Sequence, residues 1–215
     1  MKKSFLGVIL MLEKIEDDNL LEFDDRGNLK VGCHVCDLND IIKKFSEEFP
    51  DSETRKSRME QFKKFLKDLN ANVKCIRKYL VNGGFTTNKE NPCDVDFVIV
   101  LNENQISADE NEFLNLLLEH VNKIRGPYKQ LEREIEKQGR SKRELMETEF
   151  YKFGCDFYYL NRRDPHDEDY KLYLDQRNYW IKWWGHTRKN KITGIKYPKG
   201  FIDMKHNENI LGELL

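Results

Sequence analysis

The stretch Val81-Asn82-Gly83-Gly84-Phe85-Thr86-Thr87-Asn88-Lys89-Glu90-Asn91-Pro92-Cys93-Asp94-Val95-Asp96 decides the reading of this chain. An apolar run, Val73–Val81, reads as a strand that ends abruptly at two glycines. There the backbone turns tightly and presents bare N–H groups suited to an anion. After a polar loop, Asp94-Val95-Asp96-Phe97-Val98-Ile99-Val100-Leu101 has the β-branched content and length of a buried strand. A strand repeats every two residues, so Asp94 and Asp96 share a face, about 6–7 Å apart at Cα. Two carboxylates at the mouth of a buried strand call for a neutralising cation. A hard divalent ion with oxygen ligands, Mg²⁺ or Mn²⁺, fits that need.

A third carboxylate occurs downstream. Phe150–Leu160 reads as a strand in which Asp156 is the acid at its centre, within Gly154-Cys155-Asp156-Phe157. Asp94, Asp96 and Asp156 are therefore the candidate catalytic and metal-ligating residues. Such a triad holds divalent ions in phosphoryl and nucleotidyl transfer, where the metal activates a hydroxyl and stabilises the leaving group.

Around this centre, Asp37 is a suitable N-cap for a helix carrying Ile41, Ile42 and Phe45 and closed by Pro50. Met59, Phe62, Phe65, Leu66 and Leu69 recur at helical spacing between about Ser52 and Asn70. Glu110–Lys123 is a second amphipathic helix. Residues 127–148 predict an exposed helix interrupted at Gly139, and Tyr170–Trp184 a helix with an aromatic face. The pattern is α/β or α+β, a short mixed sheet flanked by helices. Residues 1–30 read as an N-terminal segment and 31–215 as one domain.

Composition bounds the function. The 215 residues are 39% hydrophobic and 35% charged, and thirteen Phe, nine Tyr and three Trp supply the core that aliphatic residues do not. With 37 Lys and Arg against 38 Asp and Glu, the net charge of −1 excludes a uniformly basic nucleic-acid coat protein. The apolar run after Lys2-Lys3 meets acids at once and has no small-residue cleavage site, and no stretch approaches the roughly 18 apolar residues of a membrane span. Five scattered cysteines read as reduced thiols. These features predict a cytoplasmic protein with no membrane partner.

Several residues carry weaker signals. Lys89, in the loop between the glycines and the aspartates, is placed to reach a triphosphate. Arg188, Lys189, Lys191, Lys196 and Lys199 form a basic stretch with no acid among them. Within it, Lys199 stands out because Pro198 and Gly200 flank it. Trp180, Trp183 and Trp184 at helical spacing predict core packing over base stacking, and Arg177 a cover for neighbouring rings. Cys33-His34-Val35-Cys36 lacks the second ligand pair of a zinc site, and His34 is expected to bond backbone or border the cleft.

The sequence Gly83-Gly84, Asp94-x-Asp96 and Asp156 resembles the nucleotidyltransferase superfamily with the polymerase β-like fold. The resemblance narrows with Gly32-x-His34, Phe45, Arg55 and Arg58, Gly84-Phe85-Thr86-Thr87-x-Lys89-x-x-Pro92-x-Asp94-x-Asp96 and Pro198-Lys199-Gly200-Phe201. Together, across roughly residues 31–203, these resemble a bacterial and phage family of small nucleotidyltransferase-like proteins without assigned chemistry. The resemblance implies a nucleotidyltransferase fold, Mg²⁺ or Mn²⁺, NTP as substrate, and transfer of a nucleoside monophosphate to a hydroxyl. The acceptor stays open between an RNA 3′ end, a protein side chain and a small molecule, in a toxin–antitoxin or phage-defence setting. It implies nucleotide binding by Gly83, Gly84, Thr86, Lys89 and Lys199. Gly84 departs from the pattern, because serine is usual there and its hydroxyl meets a phosphate; Thr86 or Thr87 is then the substitute. The alternative on the same fold is a catalytically weak nucleotide sensor or an antitoxin-like protein-binding module.

Overall fold

The computed structural model describes residues 21–102, 105–190 and 192–206, with the backbone of 14–15. The apolar run at residues 4–12 and Lys191 lie outside them. The elements are β1 (Lys14–Ile15), β2 (Cys33–Cys36), α1 (Leu38–Ile42, continued by a π-helical turn to Glu47), α2 (Arg55–Asn72), β3 (Ile76–Asn82) and β4 (Val95–Asn102). They continue with α3 (Ala108–Gln138), a 3₁₀ turn (Lys142–Glu147), α4 (Glu149–Phe153), β5 (Cys155–Arg162), α5 (Tyr170–Trp184) and β6 (Phe201–Lys205).

The six strands form one mixed sheet in the order β1-β2-β6-β3-β4-β5. β3 runs antiparallel to both β4 and β6, whereas β4 and β5 are parallel. The expected α+β class, a small mixed sheet flanked by helices, is what the chain adopts. Residues 21–30, expected in a separate N-terminal segment, pack into the same body: Leu29 is fully buried and its carbonyl accepts from the Gly200 amide.

Strand alternation divides the apolar residues between two faces. Val95, Phe97, Ile99 and Leu101 of β4 enter the main core, while Val98 and Val100 face a smaller cluster with Leu80, Leu160, Phe201 and Trp184. Phe97 sits at the centre of the main core, with ring centroids 5.1 Å from Phe62, 5.3 Å from Phe65 and 6.0 Å from Phe157. The aromatic-rich composition is spent there. Helix α5 covers the other face, with Trp180 against Tyr158 at 4.7 Å. Asp96 and Asp156 belong to that second face, because they alternate with the core residues beside them.

Two boundaries differ from the sequence reading. The helices expected at Glu110–Lys123 and 127–148 are one helix, α3, which runs through Pro127 and stops at Gly139 with φ of 62°. Its buried residues Val121, Ile124, Tyr128 and Ile135 keep one face on the core, and that packing overrides the local penalty of proline. Phe150 is not in the third strand but in α4, which Gly154 closes with φ of 73° before β5 begins. The short strands β2 and β6 carry no signal of their own in the sequence.

One buried cation shapes the loop after β3. Arg55, fully buried, donates Nη1 to the carbonyls of Phe45 (2.8 Å) and Phe85 (3.0 Å), and Nη2 to those of Thr87 (2.6 Å) and Lys89 (2.5 Å). Its guanidinium also lies 3.7 Å from the Phe49 ring centroid, and burial pulls its pKa down to about 10. The loop from Gly84 to Lys89 thus hangs on one side chain. Replacing Arg55 by methionine keeps the stem but strips four carbonyls of their donor. Urea denaturation should show a loss of about 3 kcal/mol or more, and a loss below about 1 kcal/mol would contradict this role.

Candidate functional site

The candidate site grows out of strand register. Asn82 of β3 pairs with Asp96 of β4, and Asp96 pairs with Asp156 of β5. Three adjacent strands therefore set Asn82, Asp96 and Asp156 in a row on the α5 face. Asp94 stands two residues before Asp96, just ahead of β4. One carboxylate oxygen from each of Asp94, Asp96 and Asp156 lies within 4.8 Å of the others.

The β3–β4 turn fits this cluster closely. Gly83 has φ of 82°, and a Cβ built there would lie 1.7 Å from Asp96 Oδ2. Only glycine permits both the left-handed turn and the approach of the carboxylate. The Gly83 amide is not bare, however. It donates to Asn82 Oδ1 at 2.6 Å, and Asn82 Nδ2 donates in turn to the Trp184 carbonyl at 3.1 Å. The expectation of two free glycine amides is corrected to Gly84 alone.

A cavity of about 310 Å³ opens over the row, with Gly83, Gly84, Asp94 and Asp96 at its base. Lys89, Lys129, Arg188 and Lys199 bring positive charge to its walls, and Tyr128, Trp183 and Trp184 contribute rings. Lys199 is buried and donates Nζ to the Gly83 carbonyl at 3.2 Å. Burial lowers its pKa to about 8, Arg188 adds to that, and Asp96 opposes it. Gly200 beside it admits no side chain, since a Cβ would come 2.0 Å from the Lys30 carbonyl and 2.8 Å from His34 Nε2. His34 bonds that same carbonyl at 2.7 Å, the backbone role expected of it.

Of the residues singled out from sequence, Gly83, Gly84, Lys89, Asp94, Asp96 and Lys199 line one cavity, with Asp156 joined to its acidic base. Thr86 does not line it. It is fully buried, and its hydroxyl donates to the Gly83 carbonyl at 3.3 Å. Thr87 takes the lining position and donates to the Gly84 carbonyl at 2.7 Å. The tryptophans divide: Trp184 is buried as core packing predicts, whereas Trp183 is 54% exposed at the cavity rim. Arg177 is exposed.

The sequence reading missed Arg125. Its Nη1 donates to Asp156 Oδ1 at 2.6 Å and also to the Tyr158 hydroxyl. Arg125 falls between the two expected helices, Glu110–Lys123 and 127–148, next to Gly126-Pro127, and so receives no role in the sequence reading. The helical period of Val121, Ile124 and Tyr128, continued through the proline, is the signal that would have placed it at the sheet.

Electrostatics make the acidic cluster unstable as three free anions. Burial raises the Asp96 carboxyl well above the ordinary range, and Asp94 and Asp156 push it further. Burial also raises Asp94, against Lys129, Arg188 and Lys89. It raises Asp156 too, against Arg125. Hard oxygen donors converging where negative charge is crowded fit Mg²⁺ or Mn²⁺, which Asp94 and Asp96 would hold, with Asp156 beside them.

A raised native pKa means the folded protein holds an extra proton above the ordinary carboxylate range. Its stability then falls as pH rises through that window. Asp96→Asn removes the penalty, so without divalent ions its melting temperature should exceed that of the parent at pH 8, with the gap narrowing towards pH 5. Mn²⁺ should raise the melting temperature of the parent and lose most of that effect in the variant. Equal Mn²⁺ shifts in both proteins would remove Asp96 from the cation site.

The model of a family of unknown function (DUF6932) matches residues 21–205. No curated protein and no solved structure matches the chain. No helix among the described residues is long and apolar enough to cross a membrane.

Proposed function

The chain belongs to that family, which brings no activity with it, and from the site we propose Mg²⁺- or Mn²⁺-dependent transfer of a nucleoside monophosphate from an NTP to a hydroxyl acceptor. The observation that carries this is the convergence of Asp94, Asp96 and Asp156 beneath a glycine turn and a ring of cations. Carboxylates alone would repel a triphosphate. Here Lys89, Lys129, Arg188 and Lys199 line the same cavity and supply the countercharge.

A bound divalent ion would neutralise the acids and the phosphates and favour departure of pyrophosphate. The remaining roles belong to the chain. Gly84 lets the backbone approach a phosphate without a side chain between them. Lys199, whose Nζ bonds the Gly83 carbonyl, and Arg188, on the same segment between α5 and β6, orient the triphosphate. Thr87, rather than Thr86, is the hydroxyl nearest the missing serine. In the step itself the acceptor oxygen bonds to the α-phosphorus. The bond from that phosphorus to the bridging oxygen breaks, pyrophosphate leaves, and the hydroxyl proton passes to the carboxylate cluster.

A second reading has a specific observation in its favour. Arg125 already neutralises Asp156, taking up charge that a second cation would otherwise balance. A protein that binds one cation and a nucleotide without turnover, as a sensor, is consistent with that ion pair.

Incubation with each α-³²P-NTP, Mn²⁺, total RNA and lysate separates the two. Transfer predicts label in one fraction, with equimolar pyrophosphate, that falls at least about a hundredfold in Asp94→Ala. Nucleotide bound at the site with no label in RNA, protein or small molecules would select the sensor.

A further inference from the structure

The acceptor is the open part of that reading, and a surface outside the acidic cluster bears on it. Two large aromatics, Tyr179 and Trp183, stand 58% and 54% exposed on consecutive turns of α5. Their rings are nearly parallel, at 10° and 6.3 Å between centroids. Such rings on the outer side of a helix whose Trp180 and Trp184 pack towards the sheet expose apolar area that the fold does not use. Their surroundings are cationic. Lys196 places its ammonium 5.2 Å from the Trp183 ring centroid, and from His186 to Ile202 the chain has no Asp or Glu.

The cations sit on a structured finger. The Thr187 amide donates to the Tyr197 carbonyl at 2.8 Å, the Asn190 amide to the Ile195 carbonyl at 2.9 Å, and the Tyr197 amide to Thr187 Oγ1 at 3.0 Å. Arg188 and Lys189 project from it as exposed residues. Trp183 and Arg188 also line the cavity above Asp94 and Asp96, so the aromatic and basic surface is continuous with the site of chemistry. Aromatic faces beside a run of fixed cations match bases and phosphates of an unpaired strand, and neither feature matches a small acceptor. A protein partner would need acidic side chains beside planar apolar ones to match both, whereas every nucleotide of a strand carries a base and a phosphate.

We propose that α5 and the finger form a ledge for the acceptor, a single-stranded nucleic acid whose terminal base stacks on Trp183 and whose phosphates run along Arg188, Lys189 and Lys196. The acceptor role rests on the nucleotidyl-transfer reading; the binding surface itself does not. RNA and DNA strands share this chemistry, and the 2′-hydroxyl distinguishes them.

Fluorescence anisotropy of the full chain with 12-nucleotide oligo(U), oligo(dT) and a duplex, over a salt series, tests the ledge. Single strands should bind in preference to the duplex, with affinity falling as salt rises. Trp183→Ala should weaken binding about tenfold, as loss of one stacked base implies. Lys196→Glu should flatten the slope of log affinity on log salt by about 0.7. Tighter oligo(U) binding assigns RNA, and equal binding assigns a strand of either sugar. Equal affinity of the parent and Trp183→Ala overturns the ledge, as does duplex preference. A parent dimer in light scattering that Trp183→Ala dissolves, with no strand binding, gives the surface to a protein contact instead. Strand binding that persists in Asp94→Ala without any label transfer by the parent would keep the ledge and sink the transfer reading. Label transfer to RNA that Trp183→Ala leaves intact would do the reverse.

Discussion

Three carboxylates held within 4.8 Å of one another cannot all be charged in a partly enclosed site without compensation. That constraint organises everything around them. The parallel pairing of β4 and β5 places Asp96 beside Asp156 as register partners, and no side-chain rotation can move them far apart. The protein answers with Arg125 on Asp156 on one side, and with Lys89, Lys129, Arg188 and the buried Lys199 around the cavity on the other. What the resident cations leave unbalanced lies at Asp94 and Asp96, the two acids that open into the cavity.

The surrounding architecture serves that geometry. Gly83 exists as glycine because Asp96 occupies the space of its Cβ. Asn82 ties the turn to the end of α5, and Lys199 ties it to the strand-leading segment of β6. Arg55 suspends the rest of the loop through three of its carbonyls and ties it to α1 through that of Phe45. A turn with one glycine amide engaged and the other at the cavity surface is less a general anion nest than a single approach point. In the proposed reaction the cations of the walls would therefore carry more of the phosphate recognition than the backbone does.

Much of the site is legible in the sequence because its logic is local. Asp94 and Asp96 announce themselves by strand spacing, the glycines by the end of an apolar run, and Asp156 by being an acid within a hydrophobic strand. Lys199 is marked by its flanking Pro198 and Gly200. What is not legible depends on contacts between distant segments. Arg125 was hidden because Gly126-Pro127 suggests a helix end that packing of Tyr128 and Ile135 overrides. Thr86 and Thr87 are chemically alike, and only the turn decides which one faces the cavity. The strands β2 and β6 are too short for periodicity to reveal, and their pairing is set by the sheet they join.

The most direct test of the account is a crystal structure soaked with Mn²⁺ and a non-hydrolysable NTP, with anomalous data collected at the manganese edge. The account predicts a peak bonded by carboxylate oxygens of Asp94 and Asp96 and by triphosphate oxygens, with Lys199 and Arg188 on the phosphates. Manganese and nucleotide bound together elsewhere, with Asp94 and Asp96 touching neither, would contradict it.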